Sequence, residues 1–509
     1  MIAKIESAAC IGIQAYPVQV EVDVAAGLPQ LIVVGLPDTS VKESRERVRS
    51  AIKNSGYRFP PDKITINMAP ADLKKEGPAF DLPMAIGILA ASEEIPLDKL
   101  SSYTFLGELA LDGTLRPFKG SIVIAEALHA DRNFIFPEEN AREAALEKRA
   151  LVYGVRTLRD VVAFLKGDLH LEPVKTAGGI NAPVSSQSHP DFSDIKGQYL
   201  ARRAAEIAAA GGHNLLFIGS PGSGKTMIAR RIPGLLPPLD FELALEITKV
   251  YSVAGVSQTT LENLIQKRPF RDPHHSVSSI AMSGGGSWPK PGEISLAHGG
   301  VLFLDELPEF KRDVIETLRA PLEEGCVTIS RAKSNALYPC RFMLVAAMNP
   351  CPCGFLSDPR KTCRCSLGQI RKYQSKVSGP LLDRIDLHVE VPALSYQTLV
   401  SEEKAESSEV IRARVLNCRE IQRKRYSKRM FQLNAFMKPK EIKLYASPDA
   451  EGKKLLEAAM KELHLSARAY YKILKISRTI ADLAGEETIK DRHIAEAIQY
   501  RSLDREWAV

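Results

Sequence analysis

No long hydrophobic run interrupts this sequence of 509 residues. The most nearly unbroken stretch, Leu82 to Ala91, is about half of the ~20 apolar residues that a membrane-crossing helix needs, so no membrane partner is expected. The opening residues, MIAKIESAACIGIQAY, carry one lysine, early polar side chains and no apolar stretch leading to a small-residue cleavage site. They do not read as a signal peptide, and a cytoplasmic chain is expected. Cysteine is scarce, at 8 residues, too few for a disulfide scaffold. Aromatic residues make up 6%, charged residues 25% and hydrophobic residues 45%, which sets aside disordered and collagen-like classes. At roughly 100–200 residues per domain, the length implies two to four domains.

Charge of one sign is also modest, at a formal +7, but it is unevenly placed. Between Ile411 and Ala446 stand eleven Lys or Arg against only Glu420 and Glu441. Such an excess attracts nucleic-acid phosphates, and it is equally compatible with a solvated helix face. Residues 1–168 open with strand-like alternation, in Gln19 to Val24 and Gln30 to Pro37, and predict an independent α+β domain. Residues 169–192 are rich in Pro, Gly and Ser and read as a linker. Over 193–392, helical and strand-like segments alternate as in a mainly parallel sheet with crossover helices. The remaining stretch, 393–509, is helix-rich, with helices expected over Asp449 to Leu463, Ser466 to Leu483 and Asp491 to Arg501.

The strongest chemical signal is an apolar strand, Asn214 to Ile218, running into Gly219, Ser220, Pro221, Gly222, Ser223, Gly224, Lys225 and Thr226 and then a helix. This satisfies G-x-x-x-x-G-K-S/T in the strand-loop-helix setting that the pattern requires. Glycines let the backbone wrap a polyphosphate so that N–H groups and the helix N-terminus face the anion. Lys225 reaches the outer phosphate oxygens, and the Thr226 hydroxyl ligates Mg²⁺. ATP and Mg²⁺ are the expected cofactors. A second apolar strand, Val301 to Leu304, ends in Asp305-Glu306 and resembles the Walker B element. There Asp305 holds Mg²⁺ and Glu306 orients or deprotonates the attacking water. A third strand, Arg341 to Ala347, stops at Met348-Asn349, and Asn349 resembles the sensor 1 position of AAA+ ATPases.

Two arginines extend that resemblance. Pro380-Leu-Leu-Asp-Arg384 resembles the segment that supplies an arginine finger to a neighbouring subunit, an in-trans role for Arg384 that competes with a plain salt bridge to Asp383 or Asp386. Arg468, opening an apolar-periodic helix, resembles the sensor 2 arginine of a lid, with Arg478 as the competing choice. With Asp191 to Gln198, Arg271 to Ser276 and Gly299 to Glu306 added, the chain resembles the Mg-chelatase-like AAA+ ATPases of the YifB/ComM group over nearly its whole length. The resemblance implies a homo-oligomeric ring, expected to be a hexamer. Since the ComM branch is described as a DNA helicase driving branch migration in natural transformation, it also implies single-stranded or branched DNA as partner. Cys326 to Tyr338 resembles the pre-sensor 1 hairpin of chelatases and replicative helicases, with Arg331 and Lys333 as DNA contacts. About eighty residues separate Thr226 from Asp305, more than a simple crossover needs. Ser283 to Trp288 within them suits a pore loop with Trp288 stacking on a base, or a plain surface loop.

Four cysteines follow Asn349 as C-x-C-x₉-C-x-C: Cys351, Cys353, Cys363 and Cys365. They suit either a closed tetrahedral zinc site or free thiols. His274 and His275 are expected to be hydrogen-bonded loop residues. Residues 1–168 resemble the proteolytic domain of Lon, a ribosomal S5-like α+β fold, in Lys75 to Pro78 and Gly107 to Pro117. Ala79 stands where that family's nucleophilic serine belongs and Ile122 where its lysine belongs, and the nearby Lys119 and Ser121 do not restore the dyad, so no proteolysis is expected. The fold expected is therefore a multidomain α/β chain: a Lon-like domain, a linker, an AAA+ P-loop core and a helical lid. A DNA motor competes with a chelatase-type remodeller of a protein partner or metal-insertion complex.

Overall fold

The computed structural model describes residues 1–501 apart from positions 37, 74, 76, 130, 131, 176–189, 257–262, 287, 288, 332, 333, 357, 401–404 and 428–431. Of Thr39, Ser40, Lys42, Arg331, Ser334 and Leu399 it describes the backbone alone. The chain forms a three-part α/β protein, with an N-terminal mixed sheet, a central parallel sheet and a helical C-terminal region.

The N-terminal sheet runs, in spatial order, Gln30–Val34, Lys63–Ala69, Gln14–Ala25, Ile2–Ile11, Tyr103–Phe105, Asn133–Pro137 and Leu151–Val155. Its first two long strands form an antiparallel hairpin whose register, Ile2 opposite Asp23 to Ile11 opposite Gln14, turns Val18, Val20 and Val22 to the core. The apolar run Leu82 to Ala91 is a core helix, Asp81–Ala91, buried along its full length. Its one charge, Asp81, receives Arg47 Nε at 2.8 Å and the Leu109 N–H at 3.2 Å, so burial leaves no orphaned carboxylate.

In the central sheet the order is Phe270–Arg271, Val301–Leu304, Met343–Met348, Leu215–Ile218 and Leu387–Glu390, all parallel. Parallel strands need crossovers that cover both faces, which is why they read as uninterrupted apolar runs. Register decides where chemistry collects: Ile218 lies opposite Met348 and Leu304 opposite Ala346. One residue beyond the strand ends, Gly219, Asp305 and Asn349 therefore emerge side by side at the carboxyl edge.

The expected C-terminal helices are Ala450–Glu462, Ala467–Leu483 and Asp491–Gln499, with Asp449 and Ser466 as side-chain N-caps of the first two. The basic segment begins with helix Ser408–Arg425. Three of its arginines are engaged internally. Arg414 pairs with Glu206 and Glu406, Arg425 with Asp482, and Arg419 donates to the Ala209 carbonyl near the end of helix Tyr199–Gly211. Lys428 and Arg429 lie outside the described residues. Part of the excess cation is thus spent binding the lid to the core.

Segment Asp383–Asp386 joins core to lid. Asp383 accepts from Arg468 at 2.8 Å, and Asp386 meets Lys472 at 3.0 Å and the Asn214 N–H at 3.0 Å. The N-terminal unit is joined to the centre more extensively. Ile122, Val123 and Leu146 belong to the same apolar layer as Leu216, Leu243, Ile247 and Leu302. Around it the Gly120 N–H donates to Ser252 Oγ at 3.1 Å, and Lys249 meets Glu126 at 3.2 Å. Burial raises the Glu143 carboxyl here, with the neighbouring Ser252 hydroxyl and Ile122 N–H opposing that shift.

Candidate nucleotide site

Strand Leu215–Ile218 delivers the loop Gly219 to Gly224 onto helix Lys225–Ala229. Only glycine fits at the entry, because a Cβ on Gly219 would fall 2.1 Å from the Val391 carbonyl oxygen. Lys225 is 8% exposed, and its Nζ donates to the carbonyls of Gly219 (2.6 Å) and Ser220 (3.0 Å) and to Asn349 Oδ1 (3.3 Å). Burial lowers its pKa, with the nearby Asp305 and Glu306 carboxylates opposing that shift. The Thr226 hydroxyl donates to Asp305 Oδ2 at 2.6 Å. These hard oxygen donors fit Mg²⁺, which favours carboxylate and hydroxyl ligands over sulfur or imidazole. Among the described residues Ser223 Oγ is buried with no hydrogen-bond partner, a polar group aligned with a loop built for an anion.

Glu306 adopts φ 53°, ψ 46°, a left-handed conformation that a non-glycine residue holds at some energetic cost. Its N–H donates to Asp305 Oδ1 at 2.9 Å, and its carboxylate stays exposed at the sheet edge. His275 Nδ1 lies 3.7 Å from Glu306 Oε2, and the His275 ring packs on His274 with centroids 4.0 Å apart. The two histidines are loop residues, as expected, but the pairing of His275 with Glu306 was not legible. It joins segments with no periodic relation. Gln198, also φ > 0, ends a segment that the sequence singled out, but its contacts were not legible: its amide donates to the Ser223 carbonyl at 3.0 Å and the Pro392 carbonyl at 2.7 Å, tying the segment before the loop to the loop.

The four cysteines come together directly beyond Asn349. Cys351, Cys353 and Cys363 Sγ atoms are 3.4–3.7 Å apart, and all four thiols lie within 4.8 Å of one another. Tetrahedral Zn–S bonds of ~2.3 Å place sulfurs about 3.8 Å apart, so the cluster fits a Cys₄ zinc site. Burial pushes the Cys351 thiol up to about 12, whereas the N–H groups of Phe355 and Arg364 draw Cys353 down to about 6. Backbone donors aimed at sulfur favour a thiolate, the form that binds metal.

The chain is similar to known proteins along nearly its whole length. Residues 191–399 match the family described as magnesium chelatase, subunit ChlI, residues 20–140 match subunit ChlI of Mg-chelatase, and residues 405–501 match the ChlI C-terminal family. YifB of Salmonella typhimurium is 46% identical over 507 residues, covering 99% of this chain and 98% of that protein. Competence protein ComM of Haemophilus influenzae is 47% identical over 508 residues, covering 99% and 98%. The chain belongs to the YifB/ComM family of Mg-chelatase ChlI-like proteins. Membership implies an ATPase. A 67 kDa magnesium-chelatase subunit of Chlorobaculum parvum is similar over 166 residues, at 28% identity. Among the described residues no helix is long and apolar enough to cross a membrane.

Within this YifB/ComM chain the hairpin forms from Cys326–Arg331 and Ser334–Pro339, antiparallel, with Arg331 opposite Ser334. Its tip residue Lys333 lies outside the described residues, as does Trp288, and Arg331 is described by its backbone only. The hairpin base is fixed: Tyr338 is buried and its hydroxyl donates to the Pro289 carbonyl at 2.6 Å. Arg384 forms an ion pair with Glu323 and donates to the Pro380 carbonyl at 2.6 Å; Asp383 and Asp386, the partners weighed for it, bind Arg468 and Lys472 instead. Arg468 is solvent-facing, with a side chain 64% exposed. Arg478, at 2%, is a core anchor on Asp482 and the Glu486 and Glu487 carbonyls.

Proposed function

We propose that this protein is an ATP-driven motor that acts on DNA as a hexameric ring, a helicase promoting branch migration in recombination or natural transformation. One observation carries the reading: a P-loop site and an antiparallel hairpin, Cys326–Arg331 with Ser334–Pro339, share the central unit of a chain similar throughout to a competence protein.

In the proposed cycle the loop Gly219 to Gly224, through the backbone N–H groups that every residue of it but Pro221 carries, and the Lys225 ammonium hold the polyphosphate of ATP. Thr226 and Asp305 hold Mg²⁺, which when bound neutralises charge on the β- and γ-phosphates. Glu306 orients water in line with the γ-phosphorus and takes its proton. Asn349, already hydrogen-bonded to Lys225, holds the γ-phosphate end of the site. Arg384 exchanges Glu323 for the phosphoryl group of the neighbouring protomer, so hydrolysis depends on ring assembly, and Arg468 reports the nucleotide state to the lid. Arg331 and Lys333 grip the strand phosphates in the pore. Cys351, Cys353, Cys363 and Cys365 hold a structural zinc ion. The N-terminal unit is a Lon-like scaffold with no nucleophile, since Ala79 and the buried Ile122 replace the dyad.

ATPase rate measured with and without single-stranded and branched DNA, at two ionic strengths and across protein concentrations, tests the reading. DNA is expected to stimulate turnover, salt to weaken that stimulation, and turnover per chain to rise as rings assemble. Indifference to both DNA forms at low salt, with stimulation by a protein partner, would instead establish the chelatase-type remodeller.

A further inference from the structure

We propose that the four-cysteine loop is a clamp on the P-loop, so that a zinc-class ion held by Cys351, Cys353, Cys363 and Cys365 and a nucleotide held by Gly219 to Thr226 strengthen each other's binding. The inference rests on the zinc reading above and adds to it a coupling between the two sites.

Three contacts build the clamp. Gly354, inside the loop, has φ +82°, and a Cβ there would fall 2.5 Å from Cδ and 2.8 Å from Cγ of Pro221 at the middle of the P-loop. The loop backbone therefore lies flat on the phosphate-binding turn with no room for a side chain. Asp358, between the second and third cysteines, has a fully buried carboxylate that accepts from the Ser220 hydroxyl and from Arg360 at 2.7 and 2.9 Å. Those donors hold its carboxyl well below the usual range. The loop's ends are anchored on the same site. Asn349 precedes Cys351 by two residues and bonds Lys225, and Gln374, ending helix Leu367–Gln374 after the last cysteine, donates to the Pro350 carbonyl at 3.2 Å.

A chain of this length without regular structure has many conformations, and four metal–thiolate bonds select the one in which Gly354 and Asp358 meet Pro221 and Ser220. The P-loop conformation that faces phosphate is in turn the one those contacts brace. Both ligands thus favour a single arrangement, and linkage requires that each raise the affinity of the other by the same factor.

The test uses full-length protein from zinc-defined medium, with metal counted by mass spectrometry. Zinc is stripped with a zinc-selective chelator under excess Mg²⁺, and binding of a non-hydrolysable ATP analogue is measured calorimetrically. Zinc affinity is measured by competition with a chromogenic chelator, with and without analogue. One ion per chain is expected, with roughly tenfold weaker analogue binding after removal and an equal gain in zinc affinity when analogue is present. Gly354→Ala and Asp358→Asn keep all four thiols and are expected to retain the ion yet bind analogue more weakly. One ion per chain with analogue affinity changed less than about twofold by stripping and by both variants overturns the clamp and leaves the zinc site standing. Absence of bound metal overturns both. Should the stripped chain unfold, unaltered analogue affinity in metal-loaded Gly354→Ala overturns the clamp on its own.

Discussion

Replacing Asp386 by asparagine removes one charge from the junction between core and lid while keeping its shape. Asp386 Oδ1 lies 3.0 Å from Lys472 Nζ, Oδ2 accepts the Asn214 N–H at 3.0 Å, and His213 Nδ1 is 3.7 Å away. Side-chain exposures of 11% and 13% leave Asp386 and Lys472 little access to water. Breaking a buried pair by removing one partner costs roughly 3–5 kcal/mol, and with this residual exposure the lower end, about 3 kcal/mol, is expected. A chain of several units does not unfold in two states, so the measurement belongs to local opening. Hydrogen exchange in helix Ala467–Leu483 is expected to lose about a hundredfold in protection, since ~1.4 kcal/mol is tenfold. Asp386→Asn combined with Lys472→Met removes both charges and is expected to recover most of the loss. Acid adds an independent check. Lys472 and His213 hold the Asp386 carboxyl below the usual range despite its burial, so its stabilisation is complete above an unfolded pKa of ~4 and drains as pH falls toward the lower folded value. Asp386→Asn is expected to lack that loss. A loss of protection under about fivefold, or a double variant no better than the single one, would refute the claim that this pair fastens the lid.

Glu306→Gln keeps the size and left-handed backbone of the residue but removes the base. ATP binding is expected within about twofold of wild type, with turnover reduced at least ~100-fold in a steady-state phosphate-release assay. Normal turnover would move the proton-accepting role elsewhere. Arg331→Ala with Lys333→Ala is expected to weaken DNA binding by tenfold or more and to flatten its dependence on salt by about two phosphate contacts, leaving ATPase without DNA unchanged. Fluorescence anisotropy across a salt series reads both effects, and an unaltered slope would release the hairpin from its assigned role.

How much of this was legible depended on the range of the contact. The P-loop was readable because its backbone, cation and hydroxyl occupy eight consecutive residues. The lid helices were readable from caps such as Asp449 and Ser466, which act within one turn. The cysteines announced a cluster by spacing, and their sulfurs do converge. Contacts between distant segments carried no local mark. Gly354 looks like an ordinary loop glycine until Pro221 is seen against it, and the proximity of His275 to Glu306 has no period to betray it. Arg384 had acidic neighbours in sequence on both sides, yet Glu323, some sixty positions upstream, takes it because Arg468 and Lys472 claim those neighbours. Charge counting found the basic segment but not its sinks, since Glu206, Asp482 and the Ala209 carbonyl lie on other helices.

The apolar layer that joins Ile122, Val123 and Leu146 to Leu243 and Ile247 has a practical corollary. Cutting the chain near residue 168 would not yield a clean ATPase core. It would leave a greasy scar along helix Phe241–Ala254 and strand Ser252 and Lys249 without Gly120 and Glu126. A chimera between relatives is therefore expected to need helix Phe241–Ala254 carried along with residues 1–168.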